Sequence, residues 1–299
     1  MKAFLALVHR ELIEHRGAFV IAPALLVAVI VVMTILAFTI GRVDVHLTGT
    51  LAAGLPLLML FWPALILGAS WGVYLFATLF FYCADGFAAD KRNNAMLFWK
   101  SMPVSDFKIL LSKLVAALTV LPGAVFVILL VSLGLMLLTA QIAMAINGTT
   151  ELFNFFGLWN VFWNVSLISL TQLVVALLWY LPVIALVGAI AVAAGRWAIP
   201  IVLLLPALLS SLEWVTLGGN HPFDTHTWAY ITGRLSMPQP AIVDSWIMDG
   251  PLGARIDSGL AYATDLIGRV DWMQVGIGAV FALLVLFLAA EYRRRAPAN

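Results

Sequence analysis

Few side chains in this sequence have the type and spacing that chemistry needs. Glu213 lies near one end of an apolar stretch, where it could cap a helix, meet a leaving substrate or, if it faced a cavity, exchange a proton. His221, Asp224 and His226 follow it and could bind a divalent cation if a turn brought them together. Histidines in a loop beside a proline are more often surface residues, so no metal site is predicted.

Motifs that define common enzymes and nucleotide-binding proteins are missing from the sequence. It has no H-E-x-x-H zinc motif and no pair of aspartates in the middle of an apolar stretch. It also has no G-x-x-x-x-G-K-[ST] phosphate-binding loop, so ATP hydrolysis is not expected on this chain. Cys83 is the single cysteine, which excludes an intrachain disulfide. No catalytic residue and no bound cofactor are predicted.

The composition indicates that the main solvent of this chain is a lipid bilayer. Of its 299 residues, 63% are hydrophobic and 10% are charged, with a mean hydropathy of +1.05, whereas soluble domains carry roughly a quarter charged residues. A soluble fold could not hide so much apolar surface. The net charge of +1 gives no basic field of the kind that nucleic-acid-binding proteins use. The predicted fold class is an all-α integral membrane protein.

Six apolar stretches are long enough to cross a membrane as helices, which takes about 20 residues. They lie at 17–40, 57–82, 109–139, 166–193, 197–217 and 272–290. The charged residues inside them are Lys113 and Glu213, and each lies near an end of its stretch. The third stretch is longer than a bilayer requires, so it could tilt, project beyond the membrane or kink near Pro122.

Residues 2–16 are predicted to form an amphipathic helix that lies in the membrane interface. The apolar side chains of one face and its flanks are Leu5, Val8, Leu12, Phe4 and Ile13. The charged side chains lie elsewhere on the helix and are Lys2, Arg10, Glu14 and Arg16. The alternative is a frayed tail with partial helicity.

The distribution of Lys and Arg predicts that both chain termini are cytoplasmic, because these residues concentrate on the cytoplasmic side of membranes. Twelve of them fall on the predicted inner side: Lys2, Arg10, Arg16, Lys91, Arg92, Lys100, Lys108, Lys113, Arg196, Arg293, Arg294 and Arg295. Four fall on the predicted outer side: Arg42, Arg234, Arg255 and Arg269. The basic run at the C-terminus supports this orientation independently of the N-terminal end.

Two predicted outer segments are longer than simple turns. Residues 140–165 mix aromatic and amide side chains, which is typical of the headgroup level, and predict an interfacial helix that leads into the fourth span. Residues 218–271, between the fifth and sixth spans, are rich in Gly, Pro and Asp. This enlarged outer segment is long enough for short helices or a small cap.

Residues 83–108 form the one sizeable connector on the predicted cytoplasmic side. Four consecutive large apolar residues, 96–99, follow a hydrophilic stretch. On a short helix some of them would face the membrane, while Met96, Phe98 and Met102 could enter a groove on a partner protein. The alternative is an interfacial helix that holds the connector at the lipid surface and contacts no partner protein. The residues alone leave both interpretations open.

This connector resembles the signature of ABC type 2 permease subunits, the membrane-spanning parts of ATP-driven exporters. The resemblance is carried by the run Phe98-Trp99-Lys100-Ser101-Met102-Pro103-Val104-Ser105, followed by Lys108 and by Ser112-Lys113-Leu114. The layout is similar too, with an N-terminal amphipathic helix, six spans, inner termini and an enlarged outer segment between spans five and six. By motif the resemblance covers residues 85–114, and by layout it covers the whole chain as one permease domain, 1–299.

The resemblance implies the partners of this chain and its contacts with them. A separate ATPase subunit would bind ATP and Mg²⁺, and a second permease chain, identical or a sister, would complete the path across a bacterial inner membrane. The implied coupling residues are Asp90, Lys91, Arg92, Met96, Leu97, Phe98, Trp99, Lys100, Ser101, Met102, Pro103 and Val104. A second inner contact is implied at Gly195, Arg196 and Trp197.

The resemblance also implies where a substrate would pass. The candidate residues of the substrate path are Trp71, Tyr74, Phe76, Phe80 and Glu213. Since no basic or aromatic track for a polysaccharide is recognisable, a peptide, a lipid-like molecule or a drug-like amphiphile is the expected cargo. Two other classes of protein stay open, an ion-coupled secondary transporter and a membrane enzyme or scaffold outside the ABC class.

Overall fold

The computed structural model describes residues 2–40, 55–92, 104–146, 155–218, 221–241, 243 and 258–295. These residues are almost entirely helical, and none of them lies in a β-strand. Helix α1 is Lys2–Glu14, and α2 begins with a π-helical turn, Gly17–Ile21, and continues as Ala22–Thr39. The further helices are α3 (Leu55–Arg92), α4 (Asp106–Leu118), α5 (Val120–Ile146), α6 (Phe155–Ala194), α7 (Ala198–Leu217), α8 (His226–Leu235), α9 (Gly259–Arg269) and α10 (Trp272–Arg295).

Among the described residues, six helical segments are long and apolar enough to cross a membrane, which agrees with the six predicted stretches. They are α2, α3, α4 with α5, α6, α7 and α10. Their sequences supply a continuous run of apolar side chains, and in lipid a helix is favoured because it pairs its own backbone N–H and C=O groups. The chain is therefore a multi-pass membrane protein.

Helices α3 and α6 are longer than the stretches that predicted them. Helix α3 continues to Arg92, so the first ten residues of the predicted connector 83–108 are helical. Helix α6 begins at Phe155 and its 40 residues form one continuous helix, about 60 Å long at 1.5 Å per residue. Residues 155–165 are therefore the start of α6, and residues 140–146 are the end of α5, rather than a separate interfacial helix. Residues 147–154 lie outside the described part of the chain.

The long third span is interrupted at Thr119, three residues before the proline that predicted a kink. Thr119 has φ −126° and ψ −72°, and it separates α4 from α5. Pro122 lacks an N–H, and its ring would clash with the carbonyl of Leu118 in an unbroken helix. The helix therefore ends at Leu118 and restarts at Val120.

The core of the bundle is built around α6, which packs against α3 on one side and α10 on another. Glycines allow the close approach of these helices. A Cβ on Gly188 of α6 would lie 2.8 Å from the ring of Phe87, and a Cβ on Gly68 of α3 would lie 2.8 Å from the hydroxyl of Ser169. Small residues at helix contacts are the usual means of tight packing in membranes, where apolar burial alone does not bring helices together.

In the predicted outer segment 218–271, the described residues include two short helices, α8 and α9. Residues 219–220, 242 and 244–257 of this segment lie outside the described residues. Helix α9 buries Tyr262, Ala263 and Leu266 against the bundle. The segment thus packs on the transmembrane helices through apolar side chains.

Candidate functional site

A cavity of about 1090 Å³ lies between α3, α5 and α6. It has a mostly apolar wall, to which α3 contributes residues from Trp62 to Cys83 and α6 contributes residues from Ile168 to Val187. Residues of the outer segment, Leu235, Met237 and Tyr262 among them, close one end. Helical periodicity explains the wall of α3, since positions 65, 69, 72, 76 and 80 recur every three or four residues on one face. Its volume is at the upper limit of ordinary small-molecule sites.

Three of the five predicted path residues line this cavity. They are Trp71, Phe76 and Phe80 of α3. Phe76 meets Tyr180 of α6 edge-on, with 5.5 Å between ring centroids. The other two predicted residues, Tyr74 and Glu213, are not in the wall. Tyr74 instead donates its hydroxyl proton to the carbonyl of Ala18, at 2.7 Å, and so ties α3 to α2.

Glu213 caps a neighbouring helix. Its two carboxylate oxygens accept hydrogen bonds from the backbone N–H groups of His226, at 3.0 Å, and Thr227, at 2.8 Å. These N–H groups open α8 and have no intrahelical partner, and the positive end of the helix dipole favours a carboxylate there. Thr225 adds a side-chain cap by accepting from the N–H of Trp228. Glu213 therefore fixes the turn between α7 and α8.

Hydrogen bonds from α6 hold the cover of the cavity in place. Trp179 Nε1 donates to the carbonyl of Arg234, at 2.8 Å, and the Tyr180 hydroxyl donates to the carbonyl of Leu235, at 2.6 Å. Tyr262 of α9 donates its hydroxyl proton to Gln172 Oε1, at 2.5 Å. Burial raises the pKa of Tyr262 to about 12, so this phenol stays protonated and remains a donor at physiological pH.

A buried cation lies beside this cover, and sequence reasoning, which counted it among the basic residues of the predicted outer side, did not identify its burial. Arg234 of α8 is 8% exposed, and its guanidinium stacks on the ring of Trp179 at 4.2 Å from the ring centroid. Its Nη1 lies 3.5 Å from Gln274 Oε1. A contact between an arginine and an aromatic ring leaves no pattern of opposite charges in the sequence. The residues around Arg234 therefore gave no indication that it is buried.

A buried polar cluster joins α1, α3 and α4 at the end of the bundle that carries the chain termini, here called the basic end. Glu11 of α1 and Lys113 of α4 are each 3% exposed, and Lys113 Nζ lies 3.3 Å from Glu11 Oε1. Tyr82 of α3 donates its hydroxyl proton to the other carboxylate oxygen, at 2.9 Å. Lys113 Nζ also donates to the carbonyl of Gly86, at 2.9 Å. The cluster fixes α1 to the bundle through charge-assisted hydrogen bonds.

The predicted amphipathic helix is thus present as α1, but its inward face is partly polar. Val8 and Glu11 are buried, whereas Leu5 and Ile13 are 63% and 53% exposed. The side chains that the sequence assigned to one apolar face therefore divide between the bundle and the outer surface. Sequence reasoning missed Glu11. Positions 8, 11 and 15 are three or four residues apart and so lie on one helical face, and this spacing is the signal that could have identified Glu11 as an inward-facing residue.

A second buried ion pair lies at the same end. Arg293 of α10 is 4% exposed, and its Nε lies 2.9 Å from Asp106 Oδ1 in the first turn of α4. The next two arginines, Arg294 and Arg295, are exposed and lie within 3 Å of Glu291 on their own helix. Of the three basic residues at the C-terminus, one therefore holds helices together and two face outward.

The predicted coupling residues gather at the basic end as far as they are described. Asp90, Lys91 and Arg92 form the last turn of α3, and Val104 lies two residues before Asp106, the first residue of α4. The predicted second contact, Gly195, Arg196 and Trp197, is a 3₁₀ turn after α6 that packs against α3. Eight predicted coupling residues lie outside the described part of the chain: Met96, Leu97, Phe98, Trp99, Lys100, Ser101, Met102 and Pro103.

His15, at the basic end, makes the folding stability of the protein sensitive to acid. Burial lowers the pKa of His15 below its usual value, Lys113 lowers it further, and the carboxylates of Glu11, Glu14 and Asp85 raise it in part. A lowered pKa means that the unfolded chain binds a proton more readily than the folded protein, so folding stability falls as the pH drops below about 6.5.

Replacing His15 by Gln is therefore expected to reduce the loss of thermal stability between pH 7.5 and pH 5.5. The measurement is thermal unfolding of the detergent-solubilised protein at both pH values. His9→Gln is the matched control, because His9 is on the same helix and is exposed. An unchanged pH dependence in His15→Gln would contradict the assignment.

The histidines of the outer segment do not form a metal site within the described residues. No group of three or more His, Cys, Asp or Glu side chains lies close enough to hold a metal ion in that part of the chain. Asp224 and His221 form a backbone turn, in which the N–H of Asp224 donates to the carbonyl of His221 at 3.0 Å. His226 uses its backbone N–H for Glu213.

Comparison of the chain with protein families, with curated proteins and with solved structures gives no match.

Proposed function

We propose that this chain is the permease subunit of an ATP-driven exporter of the ABC type 2 class. Two permease chains would form the translocation path and would each be driven by a separate ATPase subunit that carries ATP and Mg²⁺. The support is the connector signature, the six spans and the absence of a phosphate-binding loop from the whole sequence. A chain that moves cargo against a gradient needs a source of energy, and this one carries none of its own.

The observation that carries the proposal is the attachment of α3 and α4, the helices on either side of residues 93–103, to the rest of the bundle. Near the end of α3 the carbonyl of Gly86 accepts from Lys113, and at the start of α4 Asp106 pairs with Arg293. A push on the end of α3 and the start of α4 would therefore move α1, α3, α4 and α10 together. This is what transmission from a motor subunit to helix bundles requires.

The proposed orientation places the basic end in the cytoplasm of a bacterium and the outer segment on the far side of the inner membrane. The excess of Lys and Arg at this end supports it. Helices α2 and α7 carry long exposed apolar faces, with Met33 at 62% and Leu208 at 63% exposed. Such faces fit contact with lipid and with a second permease chain.

The test is co-purification with the ATPase subunit in mild detergent. We expect an ATPase with a phosphate-binding loop to remain bound, and Phe98→Asp or Met102→Asp to release most of it, because a carboxylate would have to enter an apolar groove. Phe156→Asp is the control, because Phe156 is 80% exposed at the opposite end of the bundle.

Three results would count against the proposal. One is the absence of any bound ATPase, and another is equal release by the control variant. The third is transport in sealed vesicles that continues without ATP and stops when the proton gradient collapses, which would favour the ion-coupled carrier.

A further inference from the structure

We propose that the outward face of α1 binds anionic head groups of the lipid leaflet at the basic end, and that Arg16 contacts lipid phosphate there. The outward face consists of the exposed side chains Leu5, His9, Arg10, Ile13, Glu14 and Arg16. This inference concerns the chain alone and does not depend on the exporter function proposed above.

The opposite side of α1 is fixed to the bundle, so the outward face stays on the surface. Val8 and Glu11 are buried. Glu11 lies 3.3 Å from the ammonium group of Lys113 and accepts a hydrogen bond from Tyr82 at 2.9 Å. A rotation of α1 that buried its outward face would break these contacts and would expose a buried ion pair.

The outward face lies next to the point where the chain enters the membrane. Helical hydrogen bonds continue across the junction of α1 and α2, since the N–H of His15 donates to the carbonyl of Glu11 at 3.0 Å and the N–H of Phe19 donates to the carbonyl of His15 at 3.3 Å. Val20, an exposed apolar residue of the span, is four residues from Arg16, about 6 Å along the helix axis. Since a head-group layer is roughly 5–8 Å thick on each side of the bilayer, Arg16 is placed within it.

The chemistry of the outward face fits this layer better than water or hydrocarbon. Leu5 and Ile13 are 63% and 53% exposed, and in water they would leave two large apolar side chains hydrated. Arg10 and Glu14 lie beside them, and in hydrocarbon these charges would be costly. A helix that mixes the two kinds of side chain on one face is stabilised where acyl chains meet head groups.

The charge of the basic end selects an anionic leaflet. In the part of the chain that the structure describes, the exposed basic side chains at this end are Arg10, Arg16, Lys108, Arg294 and Arg295, and the exposed acidic ones are Glu14 and Asp85. Counting the half-buried Glu291 with the acids leaves five positive charges against three. Such an excess attracts anionic lipids, whereas a zwitterionic head group has no net charge to meet it.

Arg16 is the side chain best placed to bind a phosphate. Arg10 lies 3.3 Å from Glu14, and Arg294 and Arg295 pair with Glu291. Arg16 is exposed, and its guanidinium makes no ion pair or hydrogen bond with the described residues. A guanidinium can donate two parallel hydrogen bonds to a phosphate, so a phospholipid head group would supply the missing partner.

The test measures which lipids lie beside α1 in nanodiscs of dioleoyl phosphatidylcholine and dioleoyl phosphatidylglycerol at a ratio of 7:3. Leu5→Cys is labelled with a fluorophore, and Cys83, the single native cysteine, is buried and stays unlabelled. At equal mole fraction, spin-labelled phosphatidylglycerol is expected to quench the fluorophore at least twice as strongly as spin-labelled phosphatidylcholine. In 1 M NaCl, where the Debye length is about 3 Å, this excess should fall by at least half.

A variant of Arg16 and a matched control locate the contact. Arg16→Gln is expected to remove at least half of the excess quenching by phosphatidylglycerol. Arg269→Gln removes an exposed arginine from the outer segment at the opposite end of the bundle and should leave the excess unchanged. An unchanged excess in Arg16→Gln, or an equal reduction by both variants, would overturn the role of Arg16.

The quenching of the labelled parent chain decides the proposal as a whole. Equal quenching by the two spin-labelled lipids would mean that α1 contacts lipid without a preference for charge, and it would overturn the proposal. Absence of quenching by either lipid would also overturn it, because another occupant, such as a protein partner, would then cover the outward face.

The outcomes separate this inference from the proposed function, because the nanodiscs contain no ATPase. A preference for phosphatidylglycerol in a chain that co-purifies with no ATPase would reject the exporter and keep the lipid surface. A bound ATPase together with equal quenching by the two lipids would keep the exporter and reject the lipid surface.

Discussion

Lys113→Met is expected to destabilise the protein by about 3–5 kcal/mol, because removing one partner of a buried ion pair leaves the other charge uncompensated. The side chain of Glu11 is 5% exposed and would keep one hydrogen bond, from Tyr82, in place of an ammonium group at 3.3 Å. The carbonyl of Gly86 would also lose the hydrogen bond that Lys113 donates to it. Chemical or thermal unfolding of the solubilised protein measures the change.

Two further variants distinguish the ion pair from a general effect of losing a lysine. Lys108→Met removes an exposed lysine from the same helix and is expected to change stability by less than about 0.5 kcal/mol. The double variant Glu11→Gln with Lys113→Met removes both charges and should recover a large part of the loss, since the buried carboxylate is gone. If Lys113→Met were no more harmful than Lys108→Met, the buried pair would have no structural role.

The spans could be predicted from the sequence because their signal is local. A run of about 20 apolar residues without a central charge has no stable soluble alternative, whichever neighbours it later packs against. Helix ends were less well predicted, as α3 and α6 show. Nothing in the residues 83–92 or 155–165 breaks a helix, so each helix continues beyond the apolar run that marked it.

The buried clusters at the basic end could not be predicted because they depend on contacts between distant segments. Lys113 is a charged residue near the end of a span in the sequence, which fits a snorkelling side chain as well as an ion pair. Its burial follows from the docking of α1, which brings Glu11 to the same place. In the same way, the sequence does not distinguish Arg293 from Arg294 and Arg295. The difference is the ion pair of Arg293 with Asp106, which belongs to a distant segment of the chain.

The cavity wall was predicted in part, and helical geometry explains the remainder. Phe76 and Phe80 are four residues apart and share a face, and Trp71 lies on its flank. Tyr74 lies off this face and reaches α2 instead. The residues that close the cavity, Met237 and Tyr262, belong to the outer segment, whose docking on α6 leaves no periodic signal in the sequence.

Arg293→Asp is expected to cost at least about 3 kcal/mol and to release the proposed ATPase partner as well. It would face Asp106 with a second carboxylate at a buried position, where like charges repel and neither is well hydrated. The start of α4 would then separate from α10, so the connector would lose its attachment on that side. Unfolding of the purified chain measures the first effect, and co-purification measures the second.

The charge exchange makes this prediction specific. Adding Asp106→Arg to Arg293→Asp restores an opposite pair and should recover part of both losses, whereas a structural role unrelated to charge would not respond. Arg295→Asp is the control on the same helix, because Arg295 is exposed and its contact with Glu291 is a surface pair, worth roughly 0.3–0.5 kcal/mol. Recovery of stability without recovery of the ATPase would mean that the connector binds its partner independently of α10. Recovery of both would tie the Arg293–Asp106 ion pair to the binding of the ATPase partner.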